Sequence, residues 1–217
     1  MTKITLVRHG TTVWVEQGKL HGRLDSPLGE TGRKEAGLVA ERLRGSHFDV
    51  FLTSPAGRAV ETANIISRCI DIEPVEMLAL QELDFGWLEG KKAINALHTD
   101  GTFLKNMQRA ACLIIASWTG ESRSHQYRRI RQFLDWLLLN HAGKNILLVT
   151  HASLHRVIFD TLLEAHLTRW SEDLAIQPCG ISEVLLDKDN HVEWFKLNQI
   201  DHLRGQNGSL LSEDQSN

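Results

Sequence analysis

Leu6-Val7-Arg8-His9-Gly10-Thr11-Thr12 decides how the rest of the chain is read. It closes a short apolar, β-branched run that begins at Lys3. Lys3 to Val7 is too short for a helix and reads as a buried strand. The run stops at Arg8-His9-Gly10, residues that continue no apolar core. They suit a loop at the carboxyl end of a strand, where ligands of open α/β sheets bind. His9 would stand there on a rigid support beside a fixed cation. Gly10 would let backbone come close to a ligand.

Two more strands end in a similar way. Phe48–Thr53 reads as a second buried strand and runs into Ser54-Pro55-Ala56-Gly57-Arg58-Ala59. Ser54 reads as a helix N-cap with Pro55 at the first helical position. Arg58 then falls in the first turn, where a cation opposes the helix dipole. An anion above the same helix end would explain it. Asn145–Thr150 is the most strongly apolar strand signal and ends at His151-Ala152-Ser153, with Leu154–Leu163 reading as a helix. A second histidine thus lies at a strand's carboxyl end. His151 and His155 have the spacing of a metal pair on a helix. His151 falls at or before the helix start, however, where the pair shares no face, and no third ligand suggests itself. No metal is expected.

The remaining pieces complete an alternating β/α pattern. Gly18 to Leu28, with its glycines and Pro27, is a loop. Arg33–Arg44 carries Ala36, Val39, Ala40 and Leu43 at helical spacing. Ile72–Leu78 reads as a short strand. Ser124–Asn140 is a helix with Tyr127, Ile130, Phe133, Leu134, Leu137 and Leu138 on one face. Val184–Leu186 and His191–Leu197 read as an edge hairpin. Lys91–Thr119 is a loosely helical insertion, either a lid over the site or a helix packed on the core.

A chain of 217 residues suits one domain over residues 1–203, with residues 204–217 a polar, flexible tail. A net charge of −3 does not suggest a nucleic-acid binder, and no basic helix or zinc spacing is present. No Gly-x-Gly-x-x-Gly marks a dinucleotide site, and no cofactor is expected. Cys69, Cys112 and Cys179 are odd in number and widely spaced, which points to a reduced, cytoplasmic compartment. No signal-peptide pattern follows Met1, and no apolar run approaches the ~20 residues of a membrane span. The oligomeric state is left open, a homodimer among the alternatives.

Taken in order, these stretches resemble the histidine phosphatase superfamily, the phosphoglycerate-mutase-like proteins. Arg8-His9-Gly10 matches the family signature. Asp25-Ser26-Pro27-Leu28 and Gly32 to Ala36 resemble its Asp-x-Pro-Leu and Gly-x-x-x-Ala. Ser54-Pro55 to Ala63 resembles its Ser-Pro-x-x-Arg-Ala-x-x-Thr-Ala. Leu80-Gln81-Glu82 to Gly90 resembles its Leu-x-Glu-x-x-Phe-Gly-x-x-Glu-Gly, and Gly120-Glu121-Ser122 its Gly-Glu-Ser. Two positions depart: Val15 replaces an asparagine that helps hold phosphate, and Ala152 replaces a glycine.

The resemblance implies a three-layer α/β/α domain with a mostly parallel central sheet and helices on both faces. It implies a small phosphorylated metabolite as the ligand. His9 would be the nucleophile, with its second ring nitrogen donating to a backbone carbonyl. Arg8 and Arg58 would grip phosphate oxygens through planar forks, and a protonated His151 would be a further clamp. Glu82 would protonate the leaving oxygen, with Asp84 and Glu89 structural or rim carboxylates. Thr12, His21, Gly22 and Ala152 would line the substrate. Lys19, His21 and Arg23 would either meet a second anionic group or be solvated. Three activities fit: a phosphatase, a phosphoglycerate mutase, or a phospho-ligand binding protein without the chemistry. The short stretch from Gly90 to Gly120 favours the phosphatase.

Overall fold

A computed structural model describes residues 1–92, 118–163 and 176–204. The expected insertion at 91–119 and the tail from 204 lie outside these residues except at their ends. Labels below follow chain order among the described elements.

Strand β1 (Thr2–Arg8) leads through a single helical turn, α1 (Val13–Glu16), to α2 (Glu30–Leu43). Strand β2 (Val50–Thr53), α3 (Gly57–Ile70) and β3 (Val75–Glu76) follow. Helix α4 (Arg123–His141), β4 (Asn145–Thr150) and α5 (Ala152–Leu162) come next, then β5 (Ile181–Leu186) and β6 (Val192–Gln199). The six strands form one sheet in the order β3-β2-β4-β1-β5-β6. The first four are mutually parallel, and β5 and β6 run antiparallel at one edge. The expected sheet, mostly parallel with an edge hairpin, is the one observed. Among the described residues no helix is long and apolar enough to cross a membrane.

The continuous apolar runs of β1 and β4 follow from burial on both faces. Ile4, Leu6, Leu52, Ile146 and Leu148 pack with Ile130, Phe133, Leu134, Leu137, Leu154 and Ile158 of α4 and α5. Val7, Phe51, Leu147 and Val149 point the other way, onto Ala36, Val39, Ala59, Ala63 and Ile66 of α2 and α3. Alternate residues of one strand thus feed two cores, as the period of two requires. Each fully buried Leu or Ile contributes roughly 1.5–3 kcal/mol.

Two local expectations are corrected, and Gly10 gains a structural role. Helix α3 begins at Gly57 with Ala56 at its cap, not at Ser54-Pro55. Ser54 is kept extended instead by Ser54 N donating to Val149 O at 2.9 Å. Only Val75–Glu76 of the expected Ile72–Leu78 strand pairs, because Leu78–Leu80 turns into a 3-10 helix. Gly10 serves a close approach to protein backbone: a Cβ there would lie 2.6 Å from Gly32 O in α2. Gly32 answers it, since its own Cβ would lie 2.0 Å from Thr11 O. Glu35 of α2 completes this seam, accepting from Thr11 N at 2.8 Å and from Thr11 Oγ1 at 3.0 Å.

Candidate active site

The register of the sheet assembles the site. Arg8 of β1 pairs with Thr150 of β4. The next residue on each strand is a histidine, so His9 and His151 emerge side by side, about one strand spacing apart. Their ring centroids are 5.2 Å apart and nearly edge to face. Strand β2 lies on the other side of β4, with Thr53 paired to Val149, and delivers Ser54 beside His151. His9, Ser54, Arg58 and His151 are all buried.

Hydrogen bonds fix both imidazoles. His9 Nδ1 lies 2.8 Å from Gly10 O. A carbonyl only accepts, so Nδ1 carries the proton and Nε2 keeps its lone pair. His151 shows the opposite tautomer. Arg58 Nη2 donates to its Nδ1 at 3.3 Å, so the proton stands on Nε2, which donates to Ser54 Oγ at 2.8 Å.

The two arginines are held from behind. Arg8 Nη1 donates to Ile176 O at 2.5 Å. Arg58 Nη1 donates to Leu24 O at 3.1 Å and Asp25 Oδ1 at 2.7 Å, and its Nη2 donates to Gly22 O at 2.7 Å. The terminal fork of Arg58 is thus committed to the Gly22–Asp25 loop and to His151, which leaves Nε to meet a ligand. The buried Nε–H groups of Arg8 and Arg58 have no partner among the described residues. A buried donor without a partner is costly, about 1–3 kcal/mol, and more on a charged group.

Burial is the first cause of the low basicity here. It pushes His9 and His151 well below the usual histidine range, and Arg8 and Arg58 push both further. His21 is lowered to about 4 by burial and by Arg58. His151 was expected as an imidazolium beside a bound dianion; the protein alone lowers its basicity, and a neighbouring dianion would offset these cations.

Glu82 reaches the site from the loop after Leu78–Leu80. Thr150 Oγ1 donates to Leu80 O at 3.1 Å, tying that loop to the end of β4. Arg129 of α4 donates to Ala79 O at 2.6 Å and Gln81 O at 2.9 Å, and is itself gripped by both oxygens of Glu121. Glu82 Oε1 accepts from Leu83 N at 2.8 Å and from Ser153 Oγ.

The residues expected to line the substrate have structural duties. Thr12 is fully buried, caps α1 by accepting from Val15 N at 3.1 Å, and lies 2.9 Å from His21 Nε2. The ring of His21 stands 6.2 Å from that of His9 and 5.3 Å from that of Trp14. Gly22 presents its carbonyl to Arg58, and a Cβ there would run into Glu89. Ala152 opens α5, half-buried, directly after His151. Glu89 accepts from the amides of Arg23, Leu24 and Phe85, which makes it a structural carboxylate. Arg23 faces Asp84 at 3.7 Å and Glu121 at 3.9 Å. His155 is buried within α5, and its amide donates to His151 O at 3.1 Å. No three His, Cys, Asp or Glu side chains among the described residues are placed to hold a metal.

Sequence reading missed Asp25 as the partner of Arg58, Ser54 as the partner of His151, and Ser153, Gln126 and Arg129 behind Glu82. Asp25 and Ser54 stood inside quoted motifs, but motifs do not say which side chain meets which. Nothing in the sequence singled out Gln126 or Arg129.

Comparison with known proteins agrees with this geometry. Residues 4–198 match the histidine phosphatase superfamily, branch 1. A probable phosphoglycerate mutase, GpmB, of Yersinia enterocolitica is 33% identical over 186 residues, 85% of each chain. A histidine-to-alanine variant of phosphoserine phosphatase from Entamoeba histolytica, solved in complex with phosphoserine, is 29% identical. It superposes with a TM-score of 0.75 over 94% of this chain and 100% of that one. YhfR of Bacillus stearothermophilus has the same fold, with a TM-score of 0.77 at 23% identity over 94% of this chain and 100% of that one. The chain belongs to the histidine phosphatase superfamily, branch 1.

Proposed function

We propose that this protein is a metal-independent phosphatase that hydrolyses a small phosphomonoester through a phosphohistidine on His9. The observation that carries the reading is the pair of buried Arg8 and Arg58 Nε–H donors without partners among the described residues, beside a histidine whose proton is fixed on Nδ1. A phosphoryl group is the ligand that would satisfy both.

The chemistry follows from these groups. Arg8 and Arg58 bind the phosphoryl oxygens and offset their charge, as a metal does in other phosphoryl-transfer sites. Charged hydrogen bonds of this kind contribute roughly 1.5–3 kcal/mol each. The Nε2 lone pair of His9 attacks phosphorus and forms the P–N bond. The P–O bond to the leaving group breaks, and Glu82 gives that oxygen its proton. Glu82, now a carboxylate, takes a proton from water, whose oxygen attacks phosphorus and breaks the P–N bond. Inorganic phosphate leaves and His9 is restored. Acid–base help of this sort is worth about 10²–10⁴ in rate. His151, its basicity lowered first by burial and then by Arg58 and Arg8, becomes a further clamp as the dianion arrives and offsets these cations. Thr12, His21, Gly22 and Ala152 form the wall around the leaving group.

The relatives named phosphoglycerate mutase favour a second reading, in which the phosphoryl group returns to the substrate instead of passing to water. Rapid-quench labelling with a ³²P phosphomonoester, in the presence of EDTA, separates the possibilities. Acid-labile, base-stable label on wild type but not on His9→Ala, with phosphate released, supports the phosphatase. Conversion of 3-phosphoglycerate to 2-phosphoglycerate without phosphate release supports the mutase. Binding without label, release or conversion overturns both.

A further inference from the structure

Behind Glu82 lies a short chain of hydrogen bonds that the chemistry above does not use. Gln126 of α4 is almost fully buried, and its Nε2 donates to Ser153 Oγ at 2.9 Å. Ser153 stands in the first turn of α5, and its hydroxyl donates to Glu82 Oε1. Leu83 N donates to the same oxygen at 2.8 Å. A serine hydroxyl has one proton to give. With Gln126 donating to its oxygen, that proton is aimed at Glu82. Both donors therefore converge on Oε1 and none of those described converges on Oε2.

We infer that Ser153, oriented by Gln126, is a positioning residue that holds Oε1 of Glu82 permanently as an acceptor, so that Oε2 alone gives and takes the catalytic proton. The inference rests on the reading of Glu82 as general acid and base. An oxygen already accepting from an amide and a hydroxyl is a poor seat for a proton, because a proton there would face two donors. The carboxyl therefore protonates on Oε2, and its rotation about the terminal bond is stopped. Both half-reactions then use one oxygen: Oε2–H protonates the leaving group, and Oε2 receives the proton of the attacking water. The anchor comes from α5, the helix that follows its cap residue His151, so Glu82 is set in register with the phosphate clamp.

The test compares two esters on wild type, Ser153→Ala, Ser153→Thr and Gln126→Leu. Phosphoserine has an alkoxide leaving group that needs a proton. p-Nitrophenyl phosphate has a stable phenolate that scarcely does. Ser153→Ala is expected to lower kcat on phosphoserine about tenfold with KM within twofold. The phosphorylation step with p-nitrophenyl phosphate should change less than twofold. Ser153→Thr keeps the hydroxyl and should recover most of the rate, and Gln126→Leu should show a weaker form of the alanine effect. Equal losses on both esters, no loss on either, or no recovery by threonine would overturn the inference. A second readout is the ¹³C chemical shift of the Glu82 carboxyl. It should move in Ser153→Ala and stay near the wild-type value in Ser153→Thr. If wild type releases no phosphate from either ester, the phosphatase reading fails. The carboxyl shift then decides the contact alone: a change supports it and an unchanged shift overturns it.

Discussion

Replacing His155 by leucine tests how this fold stores neutral histidines. His155 is wholly buried in α5, and neither ring nitrogen has a hydrogen-bond partner among the described residues. Burial lowers it to about 3; the Val7 carbonyl opposes that without good hydrogen-bond geometry, and Arg8 adds to it. In the unfolded chain the ring titrates near 6.5. A group depressed on folding gives stability that is whole above its unfolded value and is lost as pH falls toward the folded one. The window here runs from about pH 6.5 down to about 3. At pH 5 the unfolded chain is favoured by about 1.5 decades of protonation, roughly 2 kcal/mol at 1.36 kcal/mol per decade. At pH 7 the effect nearly vanishes. Leucine fills a similar volume with no polar atom to satisfy, so His155→Leu should match wild type at pH 7 within about 1 kcal/mol. At pH 5 it should be more stable by about 2 kcal/mol. His9 and His151 act in the same direction and remain in the variant, so both proteins weaken in acid, the variant less steeply. Urea unfolding at pH 7, 6 and 5, with unchanged m values, measures this. Equal slopes of stability against pH in the two proteins would refute the reasoning.

Asp25→Ala removes the carboxylate behind Arg58 and should cost about 1.5–3 kcal/mol. Added phosphate should raise its Tm more than it raises that of wild type, because the anion compensates the orphaned cation; an equal rise would contradict this. Glu82→Gln should slow release from an alkyl phosphate by at least ~10² while phosphate binding persists. Normal rates would remove Glu82 from the acid role. In α2, Gly37→Ala meets nothing within 4 Å and should stabilise by roughly 0.5–1 kcal/mol, the ordinary gain in a helix. Gly32→Ala, five residues earlier, drives a methyl into Thr11 O and should destabilise by about 1–3 kcal/mol and disturb the Arg8–Thr12 loop. Denaturation of the pair checks the opposite signs.

The strands were legible because burial on both faces leaves a signature that polar loops cannot imitate. β4 was placed to the residue, and β1 within one at each end. Strand ends carrying Arg8-His9 and His151 were legible as a site for the same reason, since charge interrupts an apolar run only where something needs it. Partnerships were not. Ser54 and Pro55 have the residue types of a helix start, yet Ser54 is spent on His151 and the helix waits until Gly57. Arg58 in a first turn signalled an anion. Part of that anion is Asp25, thirty-three residues away in the chain, a distance no local pattern spans. The basicity of His151 in the protein alone was not legible, because it depends on depth and on two arginines, neither of which a sequence displays. Whether residues 91–119 cover the site lies outside the described residues.

The pairing of Arg8 with Thr150 carries a wider consequence. The separation of the two histidines is inherited from the spacing of adjacent parallel strands, a dimension set by backbone hydrogen bonds and not by any side chain. Loops elsewhere in the molecule can therefore be lengthened, shortened or recomposed without altering where His9 stands against His151. A scaffold of this kind separates the gauge of its two histidines from the shape of its mouth, so new ligands are a matter of rebuilding the periphery while the distance at the centre stays that of the sheet.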